Sequence, residues 1–256
     1  MSAEPTVRVE LEGKLLVITL CRPAVRNAID RATSQALADA MDRLDSDDAI
    51  TVGILTGEGG HFCAGMDLKA FVRGERIELP GRGLGGIIET PPKKPVIAAV
   101  EGFALAGGFE IALACDLIVA ADNAQFGLPE VKRGLIAGSG GLLRLPQRIP
   151  RQIAMQYALT GEMMSAAEAR QWGLVNLLTS PGEALHGAKT LAHKIAANAP
   201  LAVRTSKHMV TDALHWPADE RWQRQNALLE TIIHSNDAKE GATAFSEKRL
   251  PLWTAS

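Results

Sequence analysis

Cysteine is scarce in this sequence, and so are aromatic residues. Cys21, Cys63 and Cys115 are odd in number and never spaced C-x-x-C. That excludes a disulfide framework and a zinc knuckle, and reduced thiols in the cytoplasm are expected. With one tyrosine and an aromatic share of 4% there is no base-stacking platform. Lys and Arg (27) nearly balance Asp and Glu (29), giving a net charge of −2. No electrostatic case exists for nucleic acid or an anionic membrane. No apolar stretch reaches the roughly 18–20 residues of a membrane span. The first residues, MSAEPTVRVELEG, lack a basic stretch followed by an apolar core, so no secretory leader is expected. G-x-G-x-x-G, G-x-x-x-x-G-K-[ST] and G-x-S-x-G are all missing, which weakens nucleotide-fold and serine-hydrolase readings.

What is present is 46% hydrophobic, enough for one large buried core. Lys14–Leu20 and Thr51–Thr56 read as strands on either side of a helix. Asp30 caps that helix, and Leu37, Met41 and Leu44 share one of its faces. This spacing predicts parallel pairing across a crossover. Pro95–Val100 and Leu117–Ala121 are short apolar strands flanking a helix over Gly107–Ala114, and Gln125–Gly127 is one more short strand. Between Gly74 and Gly86 the chain has many Gly, Arg and Glu residues and no period, so a mobile loop is expected there. Ser165-Ala166-Ala167-Glu168 is a capping box. Helices follow over roughly 182–198, from Leu201, over 218–234 and over 237–249. The chain is α/β to about residue 190 and helical beyond.

The chemistry concentrates between Pro95 and Gly141. Gly107-Gly108 opens a helix whose first amides have no intrahelical acceptor, a setting suited to a developing negative oxygen. The Ala64-Gly65-Met66 turn is a candidate for a second donor. Glu110 and Glu130 are carboxylates beside apolar runs; two such groups divide acid and base roles when their environments separate their pKa values. The cations Arg26, Lys69, Arg73, Arg76 and Lys248 face either a phosphorylated ligand or solvent. His61 reads as a surface-loop histidine rather than a base.

These segments together closely resemble the crotonase (enoyl-CoA hydratase/isomerase) family. The resemblance runs over RPAVRNAI (22–29), FCAGMDL (62–68), KPVIAAVEGFALAGGFEIALACDLIVAADNAQFGLPE (94–130), GLIAGSGGLLRLP (134–146), TGEMMSAAEARQWGLVN (160–176) and EGATAFSEKR (240–249). It implies an α/β fold, a crotonase-like spiral of ββα repeats over residues 1–198. A C-terminal helical region over 199–256 would serve oligomerisation and active-site covering. It implies a homotrimer or homohexamer acting on an acyl-CoA thioester, with no metal and no cofactor apart from the coenzyme A of the substrate. By resemblance the oxyanion-hole amides fall on Met66 and Gly107 and the catalytic carboxylates on Glu110 and Glu130. Glu110 then mainly activates water, and Glu130 mainly exchanges the α-proton. Coenzyme A would lie along Ala24, Val25 and Arg26 and the turn Ala64, Gly65, Asp67 and Leu68. The Gly138 amide would help place substrate or water, and Phe245 and Lys248 would close over the nucleotide end. Departures from the family pattern are Ala24, Glu101, Ala106, Ala137, Ser139 and Leu229.

The expected activity is enoyl-CoA hydratase: syn addition of water to a trans-2-enoyl-CoA, giving a 3-hydroxyacyl-CoA. GFEIALACDLIVAADNAQFGLPE and EKRLPLW also resemble the carnitinyl-CoA dehydratase branch, so a dehydratase or isomerase on another acyl-CoA is the alternative. A non-catalytic acyl-CoA binder is a further one, which the retention of two acids opposes.

Overall fold

The structure, a computed structural model, describes residues 5–256. It opens with an antiparallel hairpin, β1 (Val7–Glu12) and β2 (Leu15–Leu20), turned at Gly13 with φ +60°. The sequence reading had found only β2. Yet V-R-V-E-L-E alternates strictly, the period-2 signal of a half-solvated strand. Then come α1 (Arg31–Ser46) and β3 (Val52–Gly57). Asp30 caps α1 by accepting from the Thr33 amide at 2.8 Å. As expected, β2 and β3 pair in parallel.

After α2 (Leu68–Val72) the chain alternates between two sheets. β4 (Val96–Val100) lies in the large sheet, β5 (Phe103–Leu105) in the small one, and α3 (Gly107–Ala114) follows. β6 (Leu117–Ala121) and β7 (Gln125–Gly127) repeat the move, followed by a 3-10 turn over Pro129–Arg133. Next are α4 (Gly141–Arg148), α5 (Arg151–Thr160), β8 (Met163–Ser165), α6 (Ala166–Gln171) and β9 (Leu177–Thr179). The capping box at Ser165 and Glu168 forms as read. The large sheet has the order β1-β2-β3-β4-β6-β9, with every pair from β2 onward parallel, and the small one β5-β7-β8. β2, β3 and β4 are buried almost end to end, because helices cover both faces.

α7 (Ala184–Ala196) supplies one cover. Ala184, Ala188, Ala192 and Ala196 recur every fourth residue and lie on Leu15, Ile54, Ile97 and Val119. Glu101 caps this helix from across the fold, accepting from the amides of Gly182 (3.1 Å) and Ala184 (2.9 Å). The chain ends in α8 (Pro200–Asp212), α9 (Arg221–Ile233) and α10 (Asn236–Glu247). The last residues are strapped back: buried Asp237 accepts from the Thr254 amide at 2.7 Å, and the Trp253 indole donates to Ala197 O at 2.8 Å. Among the described residues no helix is long and apolar enough to cross a membrane.

One expectation fails. Residues 74–86 are not a loose loop. Ile77, Leu79 and Leu84 are buried, and Arg31 of α1 donates to the carbonyls of Arg76 (3.1 Å) and Glu78 (2.9 Å). Gly85 and Gly86, both at positive φ, let this backbone settle on α1. A Cβ on Gly86 would stand 2.5 Å from the Cβ of Ala38, whereas one on Gly74 (φ +78°) would meet nothing within 4 Å. Gly74→Ala is therefore expected to cost about 1 kcal/mol from backbone strain alone. Gly86→Ala is expected to cost about 3 kcal/mol, strain plus overpacking. Equal urea midpoints for the two variants would contradict this packing.

Candidate active site

Two backbone turns meet at the centre of the molecule. In the first, the Ile29 amide donates to Gly65 O and the Asp67 amide donates to Ile29 O, each at 2.8 Å. Both flanks of Met66 are thus spent on Ile29, and the Met66 N–H faces the other way. In the second, Ala106 precedes α3 with φ +51° and ψ −129°, a conformation that strains any residue but glycine. It turns the chain so that Gly107 becomes the first residue of the helix. Neither the Met66 nor the Gly107 amide donates a hydrogen bond among the described residues.

Glycine makes this approach possible. A Cβ on Gly65 would lie 2.9 Å from the Gly107 nitrogen, and one on Gly108 would lie 2.2 Å from the Cys63 carbonyl oxygen. A Cβ on Gly107 would sit 3.5 Å from the Met66 nitrogen, so the two free amides are neighbours. Both residues line one cleft of about 550 Å³.

The two glutamates line the same cleft. Glu110, in the first turn of α3, is 3% exposed and accepts from the Gly141 amide at 2.8 Å. Burial, with the charge of Glu130 adding to it, pushes its pKa up to about 7, against the Gly141 and Ser139 amides and the Arg144 cation. Glu130 follows Pro129 in the 3-10 turn, and burial raises its pKa also. Its Oε2 is buried with no hydrogen-bond partner. A buried carboxylate oxygen without a donor is costly to leave unpaired, and this one belongs to a group lining the cleft.

Arg26, Ala64, Leu68 and Gly138 also line the cleft. Ala24 and Val25 are exposed on the 3-10 turn just before Arg26, outside the lining. Gly65 and Asp67 serve the turn itself. The Asp67 carboxylate caps α2 through the Lys69 and Ala70 amides and pairs with Arg22 at 2.9 Å, facing away from the cleft lining. Phe245, 88% exposed, and Lys248 lie at the end of α10 and are not among the lining residues of their own chain. His61 stacks on Phe103 at 4.9 Å and accepts from its amide, with Arg26 over the opposite ring face at 5.4 Å. It is a packed side chain, in keeping with its exclusion as a base.

The cleft also has an apolar wall. Phe71, Ile77 and Leu84 line one side and Leu135 and Ile136 the other, with Glu75, Glu78 and Arg133 bringing charge. Four of these residues, Glu75, Ile77, Glu78 and Leu84, come from the stretch expected to be mobile, so only their place in the fold brings them to the cleft. Ile136 borders a second hollow as well, about 410 Å³ across α4 and α5, lined by Leu142, Leu145, Met155 and Leu159.

Known proteins resemble this chain in sequence and in fold. A family model described as enoyl-CoA hydratase/isomerase matches residues 10–256. A carnitinyl-CoA dehydratase of Salmonella typhi is 44% identical over 250 residues, 94% of this chain and 95% of that protein. The crystal structure of an enoyl-CoA hydratase from Mycobacterium marinum superposes with a TM-score of 0.97 at 59% identity, covering 99% of this chain and 100% of that one. A carnitinyl-CoA hydratase from Mycobacterium avium gives a TM-score of 0.80 at 43% identity, with coverage of 99% and 100%.

The raised pKa of Glu110 has a consequence for stability. Its folded value, about 7, lies above the ordinary glutamate value of 4.5, so the folded state favours the protonated form. The stability this gives is fully present below pH 4.5 and lost as pH rises through 7. Glu110→Gln is therefore expected to be more stable than the parent at pH 8, by on the order of 2 kcal/mol, with the gap closing near pH 4.5. Urea unfolding at both pH values measures it; a gap independent of pH would contradict the assignment.

Proposed function

The chain belongs to the enoyl-CoA hydratase/isomerase (crotonase) family, and on that premise we propose that it interconverts a 3-hydroxyacyl-CoA and its 2-enoyl-CoA by loss or addition of water. The observation that carries this reading is the pair of glutamates, one buried and one half-buried, both with raised pKa values, sharing one cleft with two unspent backbone amides. In the dehydrating direction Glu130 takes the α-proton, and the charge that develops on the thioester oxygen is received by the Met66 and Gly107 amides. The proton on Glu110 passes to the departing hydroxyl, which leaves as water. In the hydrating direction Glu110 takes a proton from water as it adds to the β-carbon, and Glu130 returns one to the α-carbon. A pKa near 7 populates both forms of Glu110 at neutral pH, as an acid that must become a base requires. Carbonyl polarisation comes from the amides, so the scheme asks for no metal or organic cofactor.

For the acyl group, the carnitinyl-CoA dehydratase alternative is supported better than a plain enoyl-CoA. Relatives at 43–44% identity over nearly the whole chain are described as a carnitinyl-CoA dehydratase and a carnitinyl-CoA hydratase. Glu75 and Glu78 put carboxylates at the cleft, suited to a cationic acyl end. The apolar wall of Leu84, Leu135 and Ile136 and the 59% identity to the M. marinum enoyl-CoA hydratase favour the uncharged substrate as a second reading. Loss of the conjugated thioester's ultraviolet absorbance, followed with crotonyl-CoA and its 4-trimethylammonio derivative, ranks the two. The cationic one is expected to show the higher kcat/KM. Glu110→Gln and Glu130→Gln are each expected to lower kcat by about 10²–10⁴ with little change in KM. Normal rates in both would refute the roles.

We also propose that the chain assembles as a homotrimer or a dimer of trimers. Val210, Leu214, Trp222 and Ile233 on the C-terminal helices are half or more exposed, a large apolar surface for a lone chain. Phe245 and Lys248, remote from their own cleft lining, then stand to cover a neighbour's coenzyme A. Light scattering is expected to give the mass of three or six chains; a monomer would rule this out.

A further inference from the structure

Arg22 stands outside the cleft, but its contacts converge on the turn that aims the Met66 amide. Its Nη1 donates to Ala28 O. Its Nη2 lies 3.0 Å from Asp30 Oδ2 and 2.9 Å from Asp67 Oδ2, with all three side chains 20% exposed or less. The Arg22 amide donates to Asn27 Oδ1 at 2.9 Å, and the Asn27 side chain donates to Glu58 O and His61 O. Arg26 and Asn27, between them, hold left-handed φ angles of +52° and +57°. One guanidinium thus clamps both strands of the Ile29–Met66 bridge: Ala28 and Asp30 on one side of it, Asp67 on the other. The bridge fixes which way the Met66 N–H points, and misplacing an oxyanion donor weakens it where charge develops.

We infer that Arg22 is a positioning residue for the reaction, holding the Met66 amide on the thioester oxygen through Asp67 and the Ile29 bridge. The inference rests on the hydratase–dehydratase reading given above. It assigns Asp67 a part in orientation in place of the coenzyme A contact that the family resemblance implied. A guanidinium spreads five N–H donors over a rigid planar fork, here using Nη1 and Nη2 for separate partners, whereas a lysine ammonium offers three from a single nitrogen, so the two residues are not equivalent here.

Arg22→Gln is expected to lower kcat at least about 10-fold, approaching the 10²–10³ seen when such a donor is removed outright, with KM changed less than about threefold. Arg22→Lys should recover only part of the loss. Asp67→Asn keeps a cap for α2 and gives up the ion pair, so it should lower kcat in the same sense and leave KM alone; a raised KM instead would make Asp67 a coenzyme A ligand and overturn the inference. Lys207→Gln breaks a comparably buried pair with Asp116, 2.7 Å long and behind the sheet, and should leave kcat unchanged. Normal kcat in both Arg22→Gln and Asp67→Asn would also overturn it. A readout without turnover separates this inference from the function: bound acetoacetyl-CoA shows its enolate in the near ultraviolet, and the Arg22→Gln enolate-to-keto ratio should fall at least about 10-fold. Wild-type enolate formation without hydration would count against the hydratase reading alone, whereas an unchanged ratio in Arg22→Gln would count against Arg22.

Discussion

The structure depends on how closely two pieces of backbone approach each other. Gly65 lies against the Gly107 nitrogen, and Gly108 against the Cys63 carbonyl, at separations that leave no room for a Cβ. Everything nearby follows from that contact. Ala106 takes a strained conformation to start α3 in the right place. Ile29 holds the far side of the first turn, and two amides remain free on the side that faces the cleft. A fold that spends nearly all its buried donors on its own carbonyls has left two unspent next to each other.

The carboxylates obey the opposite economy of charge. Glu110 is buried and accepts from the Gly141 amide at 2.8 Å, and Glu130 keeps one oxygen with no partner. Burial that would count as a defect elsewhere raises both pKa values, that of Glu110 to about 7. The side chain of Arg144, in the first turn of α4, limits the shift of Glu110 without forming an ion pair that would hold it ionised.

Local features were legible in the sequence, and contacts between distant segments were not. Asp30 as a cap, the Ser165–Glu168 box, the strands β2, β3, β4, β6 and β7 and the helix carrying Glu110 all express short-range chemistry, and they stand where the sequence put them. The residues of the two turns were named from resemblance to a family, and the cleft brings Met66, Gly107, Glu110 and Glu130 together. Three partnerships went unread because each spans many residues: Arg22 with Asp67, 45 apart; Glu110 with Gly141, 31 apart; and Glu101 with Ala184, 83 apart. The 74–86 stretch was misread for a related reason. Its glycines looked like punctuation, but Gly85 and Gly86 are small so that the backbone can lie against α1.

Ile136 belongs to two hollows at once, the cleft on one side and the groove over α4 and α5 on the other. It is the one residue common to the two linings. Whatever rests in the outer groove, a subunit or a small molecule, leans on the same sec-butyl group that lines the cleft. Fit on the inside and pressure from the outside are therefore one mechanical variable, and a compound wedged into the groove would act on substrate choice without ever touching coenzyme A.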